Sequence, residues 1–254
     1  MKPLTKVPAF IVCLQKYDKT RCQPTFENLS KSSVISSITK SKAITPDTIP
    51  YPTEQIVHPF AASTIFTGNQ REIHSQLTDI KQVCCSLSHI ALWNKCLEMN
   101  EPILVVEDDV QSAKLIQRLN DINKISDMIP NADIVSFMCM LPSHKHRILN
   151  SCFGSITQLN GTQCYLLFPS GAQKLLKHAL PVVSHVDHYI GQCTALHNLQ
   201  LYQHMSAFEF VNPFDTTLSH GLPMISIWRG VAGLLIFIVV ILIVTIIVIK
   251  CVKK

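Results

Sequence analysis

The amino-acid sequence predicts an α/β fold, with helices on both faces of a mostly parallel sheet, followed by one C-terminal transmembrane helix. Short, continuous apolar runs recur along the first 205 residues, and segments with apolar residues at helical spacing separate them. Strands that are buried on both faces consist of such runs, and their alternation with helices is typical of parallel sheets. A separate apolar run of 20 residues, at positions 230–249, is long enough to cross a bilayer.

Apolar runs bounded by turn-forming residues mark the predicted strands, which cover residues 7–14, 102–106, 133–140, 165–168 and 199–202. Apolar side chains three or four positions apart predict helices over residues 87–99, 115–122, 172–179 and 187–196. Ser86 or Ser88 is the predicted N-cap of the first helix, and Ser112 that of the second. Residues 30–50 are rich in Ser, Thr and Lys and are predicted to form a loop.

The long apolar run divides the chain into a folded part and an anchor. We expect a folded domain at residues 1–222, a juxtamembrane linker at 223–229, the transmembrane helix at 230–249 and a short basic tail at 250–254. Sixteen of the 20 residues in the span are Leu, Ile, Val or Phe, and none carries a charge. A buried core helix of this length normally has a polar face, so a membrane span is the better interpretation.

The orientation in the membrane depends on both ends of the chain. The apolar stretch at residues 7–14 is short, contains Pro8 and precedes several charged residues, which fits a secretory signal poorly. We therefore expect a single-pass, tail-anchored protein whose bulk lies in the cytosol, in a host or a viral membrane. Lys250, Lys253 and Lys254 favour the opposite orientation, because positive charge concentrates on the cytosolic side.

Cysteine spacing and net charge restrict the compartment and the partners that we expect. The ten cysteines include no C-x-x-C pair, and we expect all of them to be thiols in a reducing compartment, where the sequons at Asn28 and Asn160 stay unmodified. The net charge of +5 comes without a basic stripe or interleaved aromatic residues, so nucleic acid is not an expected partner.

Three acidic residues, Glu107, Asp108 and Asp109, directly follow the predicted strand at 102–106. Ligands of open parallel sheets bind at the carboxyl ends of strands, and adjacent carboxylates repel each other unless a cation lies nearby. A hard cation such as Mn²⁺ or Mg²⁺, held by Glu107 and Asp109 and bridging to the phosphates of a substrate, would supply that charge. The alternative is an acidic strand end that is simply solvated.

Residues 84–110, CCSLSHIALWNKCLEMNEPILVVEDDV, resemble glycosyltransferase family 25, which contains lipooligosaccharide and collagen galactosyltransferases. The family carries a helix with G-C-x-L-S-H and a Trp, followed by a strand that ends in L-E-D-D. Further along, residues 161–165, residues 170–176 and the pair Val186-Asp187 resemble its G-T-x-x-Y-L, G-A-x-K-L-L and P-V-D segments. The resemblance covers most of residues 7–205.

The resemblance implies a GT-A-like (Rossmann-like) fold and a metal-dependent, inverting transfer of galactose or glucose from a UDP-sugar to an unknown acceptor. By position, the acidic triplet would bind the metal and the diphosphate, Ser88 and His89 would shape the donor pocket, and Asp187 would be the catalytic base or an acceptor contact. From the residues alone, His89 could instead be a structural helix histidine, and Asp187 could be the N-cap of the next helix.

Two departures from the family pattern support a second function hypothesis. The turn after the first strand carries only Arg21 where the family has several arginines, and Cys84 stands where the family has glycine. Lysine is a poorer bidentate phosphate ligand than arginine, and a side chain in place of glycine restricts close approach. The alternative is therefore a catalytically decayed domain that serves as a structural or interaction protein of a cellular or viral membrane.

Overall fold

Among the described residues, eight strands form one sheet. The computed structural model of the chain describes residues 4–49, 53–67, 76–110, 112, 114–138 and 147–207. The strands are β1 Val7–Cys13, β2 Ile35–Lys42, β3 Ile103–Glu107, β4 Ile134–Met138, β5 Arg147–Ile148, β6 Phe153–Ser155, β7 Cys164–Leu167 and β8 Leu201–His204. Their order across the sheet is β2-β1-β3-β7-β4-β8-β6-β5.

Helices cover both faces of this sheet, as the sequence predicts. They are α1 Gln23–Leu29, α2 Thr53–Ile56, α3 Pro59–Thr67, α4 Ile80–Met99, α5 Leu115–Leu119, α6 Ile125–Met128, α7 Pro169–Leu176 and α8 Val186–Leu196. Buried side chains of α4, α7 and α8 join one hydrophobic cluster, and those of α1, α5 and α6 join another. Neighbouring residues of β3 alternate between the two clusters, since successive strand side chains point to opposite faces.

The prediction of a mostly parallel sheet is wrong, because the sheet is mixed. β1 is parallel to β2 and β3, and β4 is parallel to β8. β7 lies antiparallel between β3 and β4, and β6 lies antiparallel between β8 and β5. All four residues of β7 are buried, and a strand buried on both faces has the same continuous apolar pattern in either direction. The pattern therefore marks the strand but not its direction.

β3 is an interior strand that ends at Glu107, which confirms the prediction for residues 102–106. Its first four residues, Ile103 to Val106, are fully buried. It pairs with β1 on one side, where Val12 lies opposite Glu107, and with β7 on the other, where Val106 lies opposite Cys164. The acidic triplet thus begins at the carboxyl end of an interior strand.

Three local predictions are wrong, one of them the N-cap of α5, which is Lys114 and not Ser112. Residues 35–42 form edge strand β2 instead of a loop, because an edge strand tolerates the exposed Ser, Thr and Lys side chains of this segment. Helix α4 begins at Ile80 rather than near residue 87, because Asp79 is its N-cap and forms a capping box with Gln82. Ser86 and Ser88 are consequently buried inside the helix and do not cap it.

The predicted C-terminal elements lie outside the described residues. The predicted domain end at residue 222, the linker at 223–229, the transmembrane helix at 230–249 and the tail at 250–254 all follow residue 207, the last that the structure describes. Within the described ranges, no helix has the length and apolar character that a membrane crossing requires.

Candidate functional site

A cavity of about 720 Å³ opens at the edge of the sheet where β3 ends. Pockets for small ligands have volumes of roughly 300–1,000 Å³, so the cavity has room for a nucleotide-sized molecule. All six residues that the sequence singles out contribute to its wall: Ser88, His89, Glu107, Asp108, Asp109 and Asp187.

The antiparallel direction of β7 brings a second segment to this edge. Because β7 runs against β3, the residues that precede β7 arrive where β3 ends. The backbone N–H of Glu107 donates to the carbonyl of Gln163 at 2.9 Å. The hydroxyl of Thr162 donates to Oε1 of Glu107 at 2.5 Å. Thr162 is thus a site residue that the predicted parallel sheet does not bring to this edge.

Glu107 also contacts His89, whose Nε2 lies 3.5 Å from Oε1 of Glu107. Burial by itself would raise the pKa of Glu107. The contact with His89, the hydrogen bond from Thr162 and the charge of Arg21 outweigh burial and lower that pKa below its ordinary value. Glu107 is therefore a carboxylate at neutral pH, which a cation ligand must be.

A chain of buried hydrogen bonds fixes the ring of His89. The indole N–H of Trp93 donates to Oη of Tyr165 at 3.0 Å, and this hydroxyl lies 2.9 Å from Nδ1 of His89. Since the hydroxyl already accepts from Trp93, its own proton is best used toward Nδ1. The network thus assigns the ring proton to Nε2, the nitrogen that faces Glu107. The ring of His89 is therefore held by Tyr165 through Nδ1, and its Nε2 is directed at Glu107 from 3.5 Å.

Asp108 holds the N-terminal segment against β3. Its Oδ2 accepts from the backbone N–H of Leu14 at 2.8 Å, its Oδ1 lies 3.1 Å from Nη2 of Arg21, and its carbonyl accepts from the hydroxyl of Thr25. Burial raises the pKa of Asp108, although Leu14 and Arg21 oppose that rise. Both carboxylate oxygens of Asp108 therefore have partners in the protein.

Asp109 has a partner for only one oxygen. Its Oδ2 lies 2.9 Å from Nη2 of Arg21. Its Oδ1 is buried and has no hydrogen-bond partner among the described residues. Burial and the neighbouring charge of Glu107 raise the pKa of Asp109 to about 7, although Arg21 opposes the rise. The unpartnered Oδ1 of Asp109 and the ionised carboxylate of Glu107 are oxygen ligands of the kind that a hard divalent cation prefers.

The segment that carries Arg21 is held in place by a disulfide. Cys13 and Cys22 are bonded, with their Cα atoms 5.7 Å apart, so the expectation that all ten cysteines are thiols is wrong for this pair. The bond connects Cys13, at the end of β1, to Cys22, which follows Arg21. The guanidinium of Arg21 lies 5.1 Å from the ring centre of Tyr17. Local geometry thus directs Arg21 toward Asp108 and Asp109.

The family model of glycosyltransferase family 25, described as an LPS biosynthesis protein, matches residues 7–190. This match spans well over half of the chain. The chain belongs to glycosyltransferase family 25. The resemblance drawn from the sequence is therefore confirmed. No curated protein matches the chain significantly.

In this family 25 chain, Ser88 joins α4 to the loop after β2. Its hydroxyl donates to the carbonyl of Cys84 at 2.8 Å and accepts from the backbone N–H of Ile44 at 2.9 Å. This hydroxyl is already used within the protein, so Ser88 shapes the cavity wall by fixing the loop.

The family 25 chain places Asp187 in the first turn of α8, one residue after the helix begins, and the N-cap is His185. Oδ2 of Asp187 accepts from the backbone N–H of Gly161 at 3.0 Å, and Oδ1 accepts from that of His188 at 2.8 Å. Gly161 has a φ of +97°, a conformation that glycine adopts without strain. Asp187 therefore orders the turn before β7 and is not the N-cap.

Basic side chains that sequence reasoning did not assign to the site line the cavity of this family 25 chain. Besides Arg21, exposed lysines line it: Lys16, Lys42 and Lys81. The same cavity is thus lined by cationic and by acidic side chains. A ligand with phosphate groups could contact the lysines directly and the carboxylates through a metal ion. The lysines come from three separate segments, and only the fold brings them together.

Proposed function

We propose that this chain transfers a hexose, galactose or glucose, from a UDP-sugar to an acceptor with inversion, and that Mn²⁺ or Mg²⁺ assists. Membership of a glycosyltransferase family implies a sugar donor and an acceptor. The observation that carries the metal-dependent part of this proposal is Asp109, which lines the cavity and whose buried Oδ1 has no hydrogen-bond partner among the described residues.

Charge balance supports a cation at this site. Three carboxylates follow one another, and the only cationic side chain within 4 Å of them in the described ranges, apart from His89, is Arg21. Glu107 and Asp109 would hold the cation. Once bound, it would act as a Lewis acid that stabilises the diphosphate leaving group.

The remaining steps belong to side chains of the protein. Arg21, Lys16, Lys42 and Lys81 would neutralise the phosphates and orient them. Asp187 is the proposed base that takes the proton of the acceptor hydroxyl. Two backbone N–H groups fix the direction of its carboxylate, and each oxygen keeps a further lone pair for the acceptor.

One observation favours the second candidate function, a decayed domain with a structural or interaction role. Nη2 of Arg21 contacts both Asp108 and Asp109, so an internal cation already balances part of the charge that a metal would balance. If Arg21 has replaced the metal, the fold would persist without donor binding.

We also propose that residues 230–249 anchor the protein in a membrane, with the folded part in the cytosol. Their apolar composition supports the anchor. The Cys13–Cys22 disulfide favours the opposite orientation, because such bonds persist mainly in oxidising compartments and not in the cytosol.

A donor screen tests the catalytic proposal. Full-length protein is incubated with UDP-galactose, UDP-glucose and other nucleotide sugars, with Mn²⁺ or with EDTA, and UDP release is measured. Metal-dependent release from one UDP-hexose supports the proposal. Release from none, by a folded protein, favours the decayed domain. The screen is repeated with Asp109→Asn, which removes a proposed cation ligand. An Asp127→Asn variant, altered at an exposed position on α6, is its matched control.

A further inference from the structure

A mixed cluster of ligand atoms lies on the α4 side of Glu107. Cys85 and His89 are four residues apart on α4 and therefore share one helix face. The Sγ of Cys85, a ring nitrogen of His89 and a carboxylate oxygen of Glu107 all lie within 4.8 Å of one another. All three residues line the cavity.

A second observation points to a ligand at this position. The side chain of His89 is 0% exposed, and its Nε2 has no hydrogen-bond partner among the described residues. At 3.5 Å, Glu107 is too far from Nε2 for a good hydrogen bond. A buried polar atom without a partner is unfavourable, and this one is directed at the cluster.

We propose that Cys85, His89 and Glu107 form a site for Zn²⁺ or a similar borderline-soft divalent cation, with a fourth position open to the cavity. With bonds of about 2.0–2.3 Å, ligand atoms around tetrahedral zinc lie about 3.3–3.8 Å apart. The pair of His89 and Glu107 already has this spacing. The Sγ of Cys85 lies within 4.8 Å of both other ligand atoms, so it is about 1 Å at most beyond this spacing.

The donor set distinguishes this site from the hard-cation site at Glu107 and Asp109. Thiolate and imidazole ligands select zinc, whereas Mn²⁺ and Mg²⁺ prefer oxygen. Both sites use Glu107. In a consequence that rests on the proposed function, zinc bound at Cys85 and His89 competes with the hard cation and lowers the affinity for UDP measured with Mn²⁺.

Protons balance as follows when zinc binds. Cys85 is a thiol beforehand, since burial and the carboxylates of Glu107, Asp187 and Asp109 raise its pKa well above the ordinary value. Its Sγ–H bond breaks, the proton goes to solvent, and a sulfur–zinc bond forms. The ring proton of His89 moves from Nε2 to Nδ1, where it remains and forms a hydrogen bond to Oη of Tyr165, and the tyrosine hydroxyl keeps its own proton but no longer donates it to Nδ1. One proton is released in total.

Co²⁺ is the probe for the experiment, because a thiolate bound to Co²⁺ gives a charge-transfer absorption in the near ultraviolet. Full-length protein is titrated without reductant, so that the Cys13–Cys22 bond stays closed, and without nucleotide. Cys84→Ser is the matched control: Cys84 is the adjacent buried cysteine, and its sulfur is not part of the cluster. Thermal melting checks that each variant is folded.

We expect one equivalent of Co²⁺ to give the absorption in the wild-type and Cys84→Ser proteins, and Zn²⁺ to abolish it. Cys85→Ser should lack it. Equal absorption in Cys85→Ser and wild type, or none in wild type, overturns the proposal. The titration contains no UDP, so its outcome is independent of the proposed transfer.

A measurement on the unaltered chain covers the case in which Cys85→Ser does not fold. The rate at which iodoacetamide alkylates Cys85, which is partly exposed, is followed by peptide mass spectrometry with and without zinc. Zinc at ten times its dissociation constant should slow this reaction about tenfold by mass action, while the other thiols are unaffected. An unchanged rate at Cys85 overturns the proposal.

Discussion

The Nη2 atom of Arg21 lies 2.9 Å from Oδ2 of Asp109. This ion pair involves only one oxygen of Asp109, since Oδ1 is buried without a partner in the described part of the chain. The net result is that the pKa of Asp109 is raised to about 7 despite the adjacent guanidinium. This imbalance makes Asp109 the most informative residue of the site, both for stability and for cation binding.

The pH dependence of stability should reflect Asp109. Its folded-state pKa of about 7 exceeds the ordinary value of 3.8, so between these values the folded protein holds a proton that the unfolded chain lacks. The stabilisation is complete below pH 4 and disappears as pH rises through about 7. Relative to Asp109→Asn, the metal-free wild type should lose on the order of 3 kcal/mol of unfolding free energy between pH 4 and pH 8.

Urea denaturation in EDTA at several pH values measures this difference. Glu107 titrates in both proteins, and its lowered pKa acts in the opposite sense, so the comparison with Asp109→Asn isolates Asp109. Parallel stability curves for the two proteins would show that the pKa of Asp109 is ordinary.

Removal of the Tyr165 hydroxyl should affect the site and not only stability. Tyr165→Phe leaves Trp93 Nε1 and His89 Nδ1 without their partner, at a cost of about 1–3 kcal/mol in unfolding free energy. Because His89 then loses the bond that fixes its ring, UDP affinity in Mn²⁺ should also fall. Calorimetry and urea denaturation measure the two effects.

Tyr189→Phe is the matched control for this prediction. Its buried hydroxyl donates to the carbonyl of Leu175, and Tyr189 is not among the residues that line the cavity. We expect Tyr189→Phe to lose stability without losing UDP affinity. Equal UDP affinity in wild type and Tyr165→Phe would mean that the hydrogen-bond chain has only a structural role.

The proposed base should separate catalysis from donor binding. Asp187→Asn should lower the transfer rate by about 10²–10⁴-fold, because proton removal from the acceptor is lost, while UDP affinity stays close to wild type. Steady-state kinetics and UDP titration provide the two values. An unchanged rate excludes Asp187 as the base, and a joint loss of rate and UDP binding would assign it to ordering the Gly161 turn.

N-glycosylation in mammalian cells should reveal the side of the membrane on which the domain folds. The proposed cytosolic orientation predicts membrane pelleting that is lost when residues 228–254 are deleted, and no change in mobility after glycosidase treatment. Asn160, which begins one of the two N-glycosylation sequons of the chain, serves as the reporter. A mobility shift that Asn160→Gln abolishes would place the domain in the lumen, where the Cys13–Cys22 disulfide is expected to persist.

The strand that carries the acidic triplet was predictable because two signals coincide there. An uninterrupted apolar run marks β3, and charged residues that follow it mark the strand end where ligands bind. β2 escaped prediction because an edge strand needs little apolar surface, and its Ser, Thr and Lys residues resemble a loop. The direction of β7 has no signature in its four buried residues, so the arrival of Thr162 beside Glu107 could not be foreseen.

Contacts between residues that are far apart in the sequence are the other features of the site that could not be predicted. Asp108 binds the backbone of Leu14, 94 positions away, and His89 contacts Tyr165, 76 positions away. Neither contact has a local pattern. The six predicted site residues nevertheless line one cavity, because the resemblance to the family identified short segments that the fold brings together, and their roles stay predictions.

Calorimetric titration of UDP into the full-length protein, with Mn²⁺ and with EDTA, tests the central claim most directly. We expect UDP to bind only with Mn²⁺ in the wild type, to gain no affinity from Mn²⁺ in Asp109→Asn, and to behave as in the wild type in Asp127→Asn, whose altered carboxylate is exposed on α6. Equal UDP affinity with Mn²⁺ and with EDTA in the wild type would contradict a cation site at Glu107 and Asp109.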